Sequence, residues 1–246
     1  MSGLIAVPFV SVRRRSWPGW LVIALGLLLL AACTNPERAA VPAEDAPAGR
    51  VSAEARKFLL VPGESWLRIL VYRDGALAAL GHNHVVSTTA ISGQLAVGST
   101  PSSSAVNFEF PADSLSVDLP QLRNAEGDDF PGELDQASID GTRDNMLGDK
   151  VLAAARFPTI ALRSHSIAGD YPDLNLLMDV TVRDQTTRVT VPARVTLIAN
   201  EIIAEGSLKL LQTELGMEPF SVAFGALSVR DEMQLKFRLV ARAAPD

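Results

Sequence analysis

The segment 229-VRDEMQLKFRLVA-241 limits the fold more than any other part of the chain. Met233, Leu235, Phe237 and Leu239 take one parity, and Glu232, Gln234, Lys236 and Arg238 take the other. A period of two places such sets on opposite faces of a β-strand, one buried and one wet. The same split recurs along the sequence. Leu67, Ile69 and Val71 oppose Arg68 and Tyr72, and Val106, Phe108 and Phe110 oppose Asn107 and Glu109. Ile160 and Leu162 oppose Arg163, while Leu176, Met178, Val180 and Val182 oppose Asp179, Thr181 and Arg183. Val189 and Val191 face away from Arg188 and Thr190, and Leu208 and Leu210 from Lys209. With 80-LGHNHVVSTTA-90 included, about eight strands are in view.

Short, turn-like links such as 183-RDQTT-187 and 198-IANE-201 argue for antiparallel hairpins rather than helical crossovers. One helix is expected over 139–155, capped by Asp140 and ended by Arg156-Phe157-Pro158. A single helix cannot cover the apolar faces of eight strands. The expected fold is therefore all-β, with a sheet that buries its apolar face against itself as a closed barrel or a sandwich. An eight-stranded barrel has an interior that side chains can fill or that holds one small ligand. Phe108, Phe110, Met178, Leu208, Leu210 and Phe237 on the apolar parity fit a packed core as well as a pocket lining.

Before the strands, the chain carries Arg13, Arg14 and Arg15, an apolar run over 21–32, and Leu30-Ala31-Ala32-Cys33. A basic start, a short apolar stretch and small residues before the cut read as a secretory signal peptide over 1–32. The cysteine after Leu-Ala-Ala resembles a bacterial lipobox, which implies acylation at Cys33 and a membrane anchor. Thr34 stands where an aspartate would signal inner-membrane retention, so the expected location is the periplasmic face of the outer membrane. Residues 33–56 are rich in Ala, Pro and charge without an apolar period and read as a tether, leaving 57–246 as the folded domain. Loss of the leader moves the net charge from −6 to −9, because it removes three arginines and no acid. An acidic protein has no electrostatic reason to seek nucleic acid or an anionic bilayer. With no second cysteine it has no internal disulfide.

Few motifs suggest chemistry. The loop over 113–150 contains Asp128, Asp129, Glu133, Asp135, Asp140 and Asp144 but lacks the spacing of a calcium loop, and reads as a solvated connection. No nucleophile elbow, phosphate-cradling loop or His-Glu-x-x-His occurs, so no catalytic residue is assigned and no enzyme activity is expected. His82 and His84 lie two residues apart, and His165 is the third histidine of the chain. Together they offer three nitrogen ligands for zinc or copper, which is the alternative function considered. The other readings are a polar rim, in which His82, Asn83 and His84 hydrogen-bond a ligand head group, or histidines satisfied by backbone at a strand end. In 220-FSVAFG-225, Phe220 and Phe224 read as a rim or lid, or as ordinary core.

The order of these motifs resembles the YceI-like polyisoprenoid-binding family. The resemblance rests on the glycine and histidine segment followed by Ser87-Thr88 and Gly93, on 146-MLGDKVLAAARFPTIALRS-164, on 180-VTVRDQTTRVTVP-192 and on 211-LQTELGMEPFS-221. Phe157-Pro158-Thr159-Ile160 and the hairpin from Val182-Arg183 to Val189 are its most specific parts. The resemblance implies a lipocalin-like antiparallel barrel that holds a long isoprenoid, such as a quinone tail, without chemistry on it. The apolar parity then supplies the pocket: Leu67, Ile69, Phe108, Phe110, Ile160, Leu162, Met178, Val180, Leu208, Leu210, Leu235 and Phe237, with Phe220 and Phe224 near the rim. No cofactor besides the bound lipid is expected, and a homodimer stays open. The sequence departs from the family pattern in its longer acidic loop and in carrying two histidines where one is expected.

Overall fold

A computed structural model describes residues 51–245. The expected signal peptide, Cys33 and most of the tether lie outside the described residues. Strands β1 (Arg56–Leu60), β2 (Trp66–Asp74), β3 (His84–Thr88), β4 (Ser92–Val97), β5 (Ala105–Pro111) and β6 (Ser116–Val117) are followed by helices α1 (Pro120–Ala125) and α2 (Gln136–Leu147). The chain continues through β7 (Thr159–Asp170), β8 (Asp173–Val182), β9 (Gln185–Ile198), β10 (Glu201–Leu211), β11 (Ser221–Val222) and β12 (Leu227–Ala243).

Every pairing is antiparallel, and the ring β1–β4–β5–β7–β8–β9–β10–β12 closes through β12 on β1, with Phe58 opposite Ala243. The result is an eight-stranded up-and-down barrel, one of the two arrangements that the alternation allows and the one that the family resemblance implies. Strands β2, β3 and β6 continue the courses of β1, β4 and β5 past short breaks, so three barrel positions are each built from two segments. At the first break Ser65, fully buried, accepts from Val240 N at 3.0 Å and donates to Val240 O at 3.3 Å. That pair of bonds carries the ladder across residues 61–65. Two-residue turns join β8 to β9 and β9 to β10, with positive φ at Arg183 (59°) and Ala199 (49°), a backbone hand that suits twisted hairpins.

The helical expectation is corrected in two ways. Helix α2 begins earlier, because Asp135 Oδ1 accepts from Ser138 N at 2.9 Å and so caps it, a role expected of Asp140. It ends at Leu147: Gly148 takes an extended conformation, and the chain over 148–157 folds into turns around the left-handed Ala153 (φ 47°). A second helix, α1, starts at Pro120, where proline's fixed φ suits the first turn.

The acidic loop is also more ordered than a solvated connection. Arg123 and Phe130 are each 1% exposed, and Phe130 packs with Leu70 and Val85 in a small core on the outer face of β2 and β3. Glu126 joins this layer, paired with Arg68 at 3.1 Å and with Lys236.

Candidate binding cavity

The inward parity of the barrel encloses an apolar cavity of about 320 Å³. This falls at the low end of the range for pockets that take small organic ligands, roughly 300–1,000 Å³. Among the described residues its lining contains no carboxylate, lysine or arginine; its polar members are His84, Ser104, Thr142, Asn145, Tyr171 and Gln212. Packing differs along the axis. At the α2 end, Phe110, Met178, Val182, Leu210 and Met233 are buried, and Leu152, Leu215 and Met217 pack across the strand ends. In the middle, Leu67, Ile69, Phe108, Leu162, Leu208, Leu235 and Phe237 face inward yet stay only half-buried. A close-packed core leaves no such uncovered apolar surface, so the interior is a pocket and the packed-core reading fails.

The far end has a different rim. Tyr171, in the link between β7 and β8, and Leu197, near the end of β9, both line the cavity and are both exposed, at 41% and 45%. Val195 N bonds Pro172 O at 2.7 Å, which holds the two hairpins side by side. Partial burial raises the Tyr171 phenol above its usual range.

At the α2 end a polar group is built into the wall. His84 lies opposite Val71 at the start of β3, and its Nδ1 sits 2.6 Å from Asp118 Oδ2. Asp118, 1% exposed, also accepts from Val85 N at 2.9 Å and from Arg123 Nη1 at 2.7 Å, both at Oδ1. Arg123 spends its remaining donors on backbone carbonyls: Nη1 also to Asn83, Nε to Gly132 and Nη2 to Pro131. Both carboxylate oxygens and all three guanidinium nitrogens of the buried ion pair are therefore engaged in hydrogen bonds. Burial works to raise the Asp118 pKa, but the bonds from His84, Val85 and Arg123 and the His84 charge outweigh it, and the carboxyl lies below its ordinary range. An ionised Asp118 accepts a proton-bearing Nδ1, which leaves His84 Nε2 as the nitrogen available to the cavity.

Of the expected pocket residues, thirteen line the cavity: Leu67, Ile69, Phe108, Phe110, Ile160, Leu162, Met178, Val180, Leu208, Leu210, Phe220, Leu235 and Phe237. Phe224 is corrected. It is fully exposed at the tip beyond β11, in a left-handed conformation (φ 56°) next to left-handed Ala223 and Gly225, and the run of positive φ turns its ring outward. The histidine segment separates into three roles. His84 lines the cavity, and His82 is exposed outside it. Asn83 ties loops together, its Oδ1 accepting from Arg73 N at 2.9 Å and its Nδ2 donating to Asp129 O at 2.7 Å. His165 stands at a bulge in β7, 3.7 Å from Asp179, while His84 belongs to Asp118. The three-histidine metal set is therefore not assembled, and among the described residues no group of three His, Cys, Asp or Glu side chains is placed to hold a metal ion.

Sequence reasoning missed Asp118 and Arg123, hidden in a stretch that reads as solvated. It also missed Tyr171, Gln212 and the α2 residues Thr142 and Asn145, whose polar character argued against a lining role.

Comparison with known proteins agrees with this architecture. The YceI-like domain model matches residues 75–241. The crystal structure of BcnA from Burkholderia cenocepacia superposes with a TM-score of 0.54 at 16% identity, covering 74% of this chain and 98% of that one. The YCEI protein of Campylobacter jejuni gives 0.48 at 9% identity over 65% of this chain and 85% of its own. No curated protein matches the sequence.

Proposed function

The chain belongs to the YceI-like family of polyisoprenoid-binding β-barrels, and from that premise we propose that it is a non-catalytic carrier for a long-chain isoprenoid with a quinone-type or alcohol head group. The observation that carries this reading is the half-buried apolar surface of Phe108, Leu162, Leu235 and Phe237 around a cavity free of carboxylates and basic side chains among the described residues. Such a lining gains about 0.8 kcal/mol for each methylene it desolvates and offers no partner to a charge. Since non-covalent affinity saturates near 18–21 kcal/mol, the barrel tolerates different tail lengths rather than measuring them. His84 supplies the polar end: its Nε2 accepts a hydrogen bond from the hydroxyl of an alcohol or of a reduced, quinol-type head group, and the tail runs along the axis toward Tyr171. The protein performs this as a lipoprotein acylated at Cys33 and held at the periplasmic face of the outer membrane.

Organic extraction of the Cys33→Ser chain, which lacks the acylation site and is purified without detergent, followed by mass spectrometry, tests the reading. A long-chain isoprenoid near one per chain is the expected result. Recovery of phospholipid alone, or of no lipid, rules it out.

A further inference from the structure

The rim at the Tyr171 end has three properties that belong together. It is apolar where it meets solvent: Tyr171, Leu197 and Ile198 are 41%, 45% and 58% exposed. The first two also line the cavity, so apolar surface runs without a break from the pocket to the outside. The chain leading back toward Cys33 leaves the fold at this same end. Ser52 N bonds Ser103 O at 3.1 Å beside the cavity residue Ser104, and Arg56, the first residue of β1, donates to Asn200 Oδ1 at 3.1 Å in the turn that follows Ile198.

The charges around the rim fit an apolar contact. Asp173 is paired with Arg194 at 3.4 Å, and Glu201 and Glu64 are both paired with Arg242, at 3.0 and 2.8 Å. Three carboxylates of an overall acidic chain thus share two arginines here, which neutralises most of the charge at short range and weakens the field that would repel a phospholipid surface.

We propose that this end of the barrel docks on a lipid bilayer, with Tyr171, Leu197 and Ile198 seated in its interface, and that the isoprenoid passes between bilayer and cavity through it. The inference rests on the carrier reading above. A tyrosine flanked by aliphatic side chains matches the headgroup boundary, where a ring can sit half in water. A lipid whose polar group lies at that boundary enters head first, reaches His84, and draws its tail in behind. The tail then moves from hydrocarbon to barrel without crossing water.

A second exposed apolar group, formed by Leu77, Leu80, Val222 and Phe224, sits at the opposite end and supplies the competing orientation. The test uses the full chain in a Cys33→Ser background, so that one added cysteine takes one environment-sensitive dye. Ile198→Cys and Phe224→Cys are labelled separately and mixed with phosphatidylethanolamine–phosphatidylglycerol vesicles. A blue shift at position 198, none at 224, and persistence in high salt are expected. Immersion of the dye at 224 with position 198 left in water overturns the proposal, as does a shift at 198 that arises from protein concentration without vesicles. Ile198→Asp, outside the cavity lining, is expected to slow isoprenoid uptake from vesicles at least tenfold while lipid loaded from detergent is retained as before. Unchanged uptake overturns the proposal. Lipid found in the barrel while position 198 stays in water defeats docking alone, whereas docking at 198 by a chain that holds no isoprenoid defeats the carrier reading alone.

Discussion

His84 Nδ1 lies 2.6 Å from Asp118 Oδ2, and that bond joins the cavity wall to a buried ion pair on the outer face of the barrel. Asp118 is left-handed (φ 54°), which turns its carboxylate back over β3 to reach both His84 and the Val85 amide. Arg123 then spans from Asp118 to the carbonyls of Asn83, Pro131 and Gly132, closing the loop over the strand. One carboxylate therefore fixes the imidazole and one guanidinium fixes the carboxylate.

Asp118→Asn should cost about 3–5 kcal/mol, since it leaves the Arg123 charge buried without its partner. Arg123→Met should cost a similar amount. The double variant should cost less than the two singles combined, by about 0.5–3 kcal/mol of coupling. Denaturant unfolding of the four proteins measures this, and strict additivity would show that the pair does not act as a unit.

Acid should destabilise the fold through two carboxylates. Asp118 and Glu126 both lie below their ordinary pKa: burial works against this, but His84 and the Val85 amide outweigh it for Asp118, and Lys236 and Arg68 for Glu126. A depressed folded pKa gives stability that is present at neutral pH and lost as pH falls through the folded value. Stability should therefore decline below about pH 4, where free carboxylates begin to protonate. Asp118→Asn should flatten that decline; an unchanged acid limb in this variant contradicts the assignment.

His84→Ala and His82→Ala should behave differently, because one side chain lines the cavity and the other points to solvent. Loss of the His84 hydrogen bond should reduce discrimination between lipids of equal tail and different head group by about 1–3 kcal/mol. His82→Ala should leave binding unchanged. Competition between an isoprenoid alcohol and the matching hydrocarbon reads the difference, and equal effects at the two positions would return the head-group role to the exposed rim.

How much of this was legible in sequence depends on where the physics is local. Strand parity is local, so Leu235 and Phe237 identified their face without a partner, and repeated parity narrowed the sheet to a barrel or a sandwich, whereas closure depends on the long-range pairing of β12 with β1. The Asp118 device is not local in that sense. Aspartates and arginines are ordinarily solvated, and Asp118 and Arg123 sit in a run of charge that ends in Asp128-Asp129. The available signal was Phe130, an aromatic that needs burial inside an otherwise polar loop. Phe224 misled in the opposite direction: an aromatic among small residues reads as interior, and only the three successive left-handed residues show that the tip turns outward. Lys236 was read as a plain outward charge, whereas it neutralises Glu126, whose side chain is 3% exposed.

The parity itself is testable at neighbouring positions of β9. Val191 lines the cavity and Thr190 is exposed. Val191→Asp should abolish lipid retention, because an unpaired carboxylate in that lining is desolvated with no partner among the described residues. Thr190→Asp should change stability by less than about 0.5 kcal/mol, as for most surface substitutions. Lipid retention and thermal melting of the two variants decide the matter, and equal tolerance would mean that the faces are reversed.

Gly93 tests whether the first barrel courses are placed correctly. It pairs with Phe108 across β4 and β5, and a Cβ there would stand 2.3 Å from Asn107 O and 2.6 Å from Phe108 Cα. Both are backbone atoms of a paired strand, so neither can yield as the end of a flexible side chain would. Gly93→Ala should force β4 away from β5 and cost more than about 3 kcal/mol, beyond the usual range for a one-carbon change. Gly127→Ala is the control, because a Cβ there meets nothing within 4 Å although its φ of +84° still imposes local strain. A melting temperature for Gly93→Ala no lower than that of Gly127→Ala would show that β4 and β5 do not approach as closely as the barrel requires.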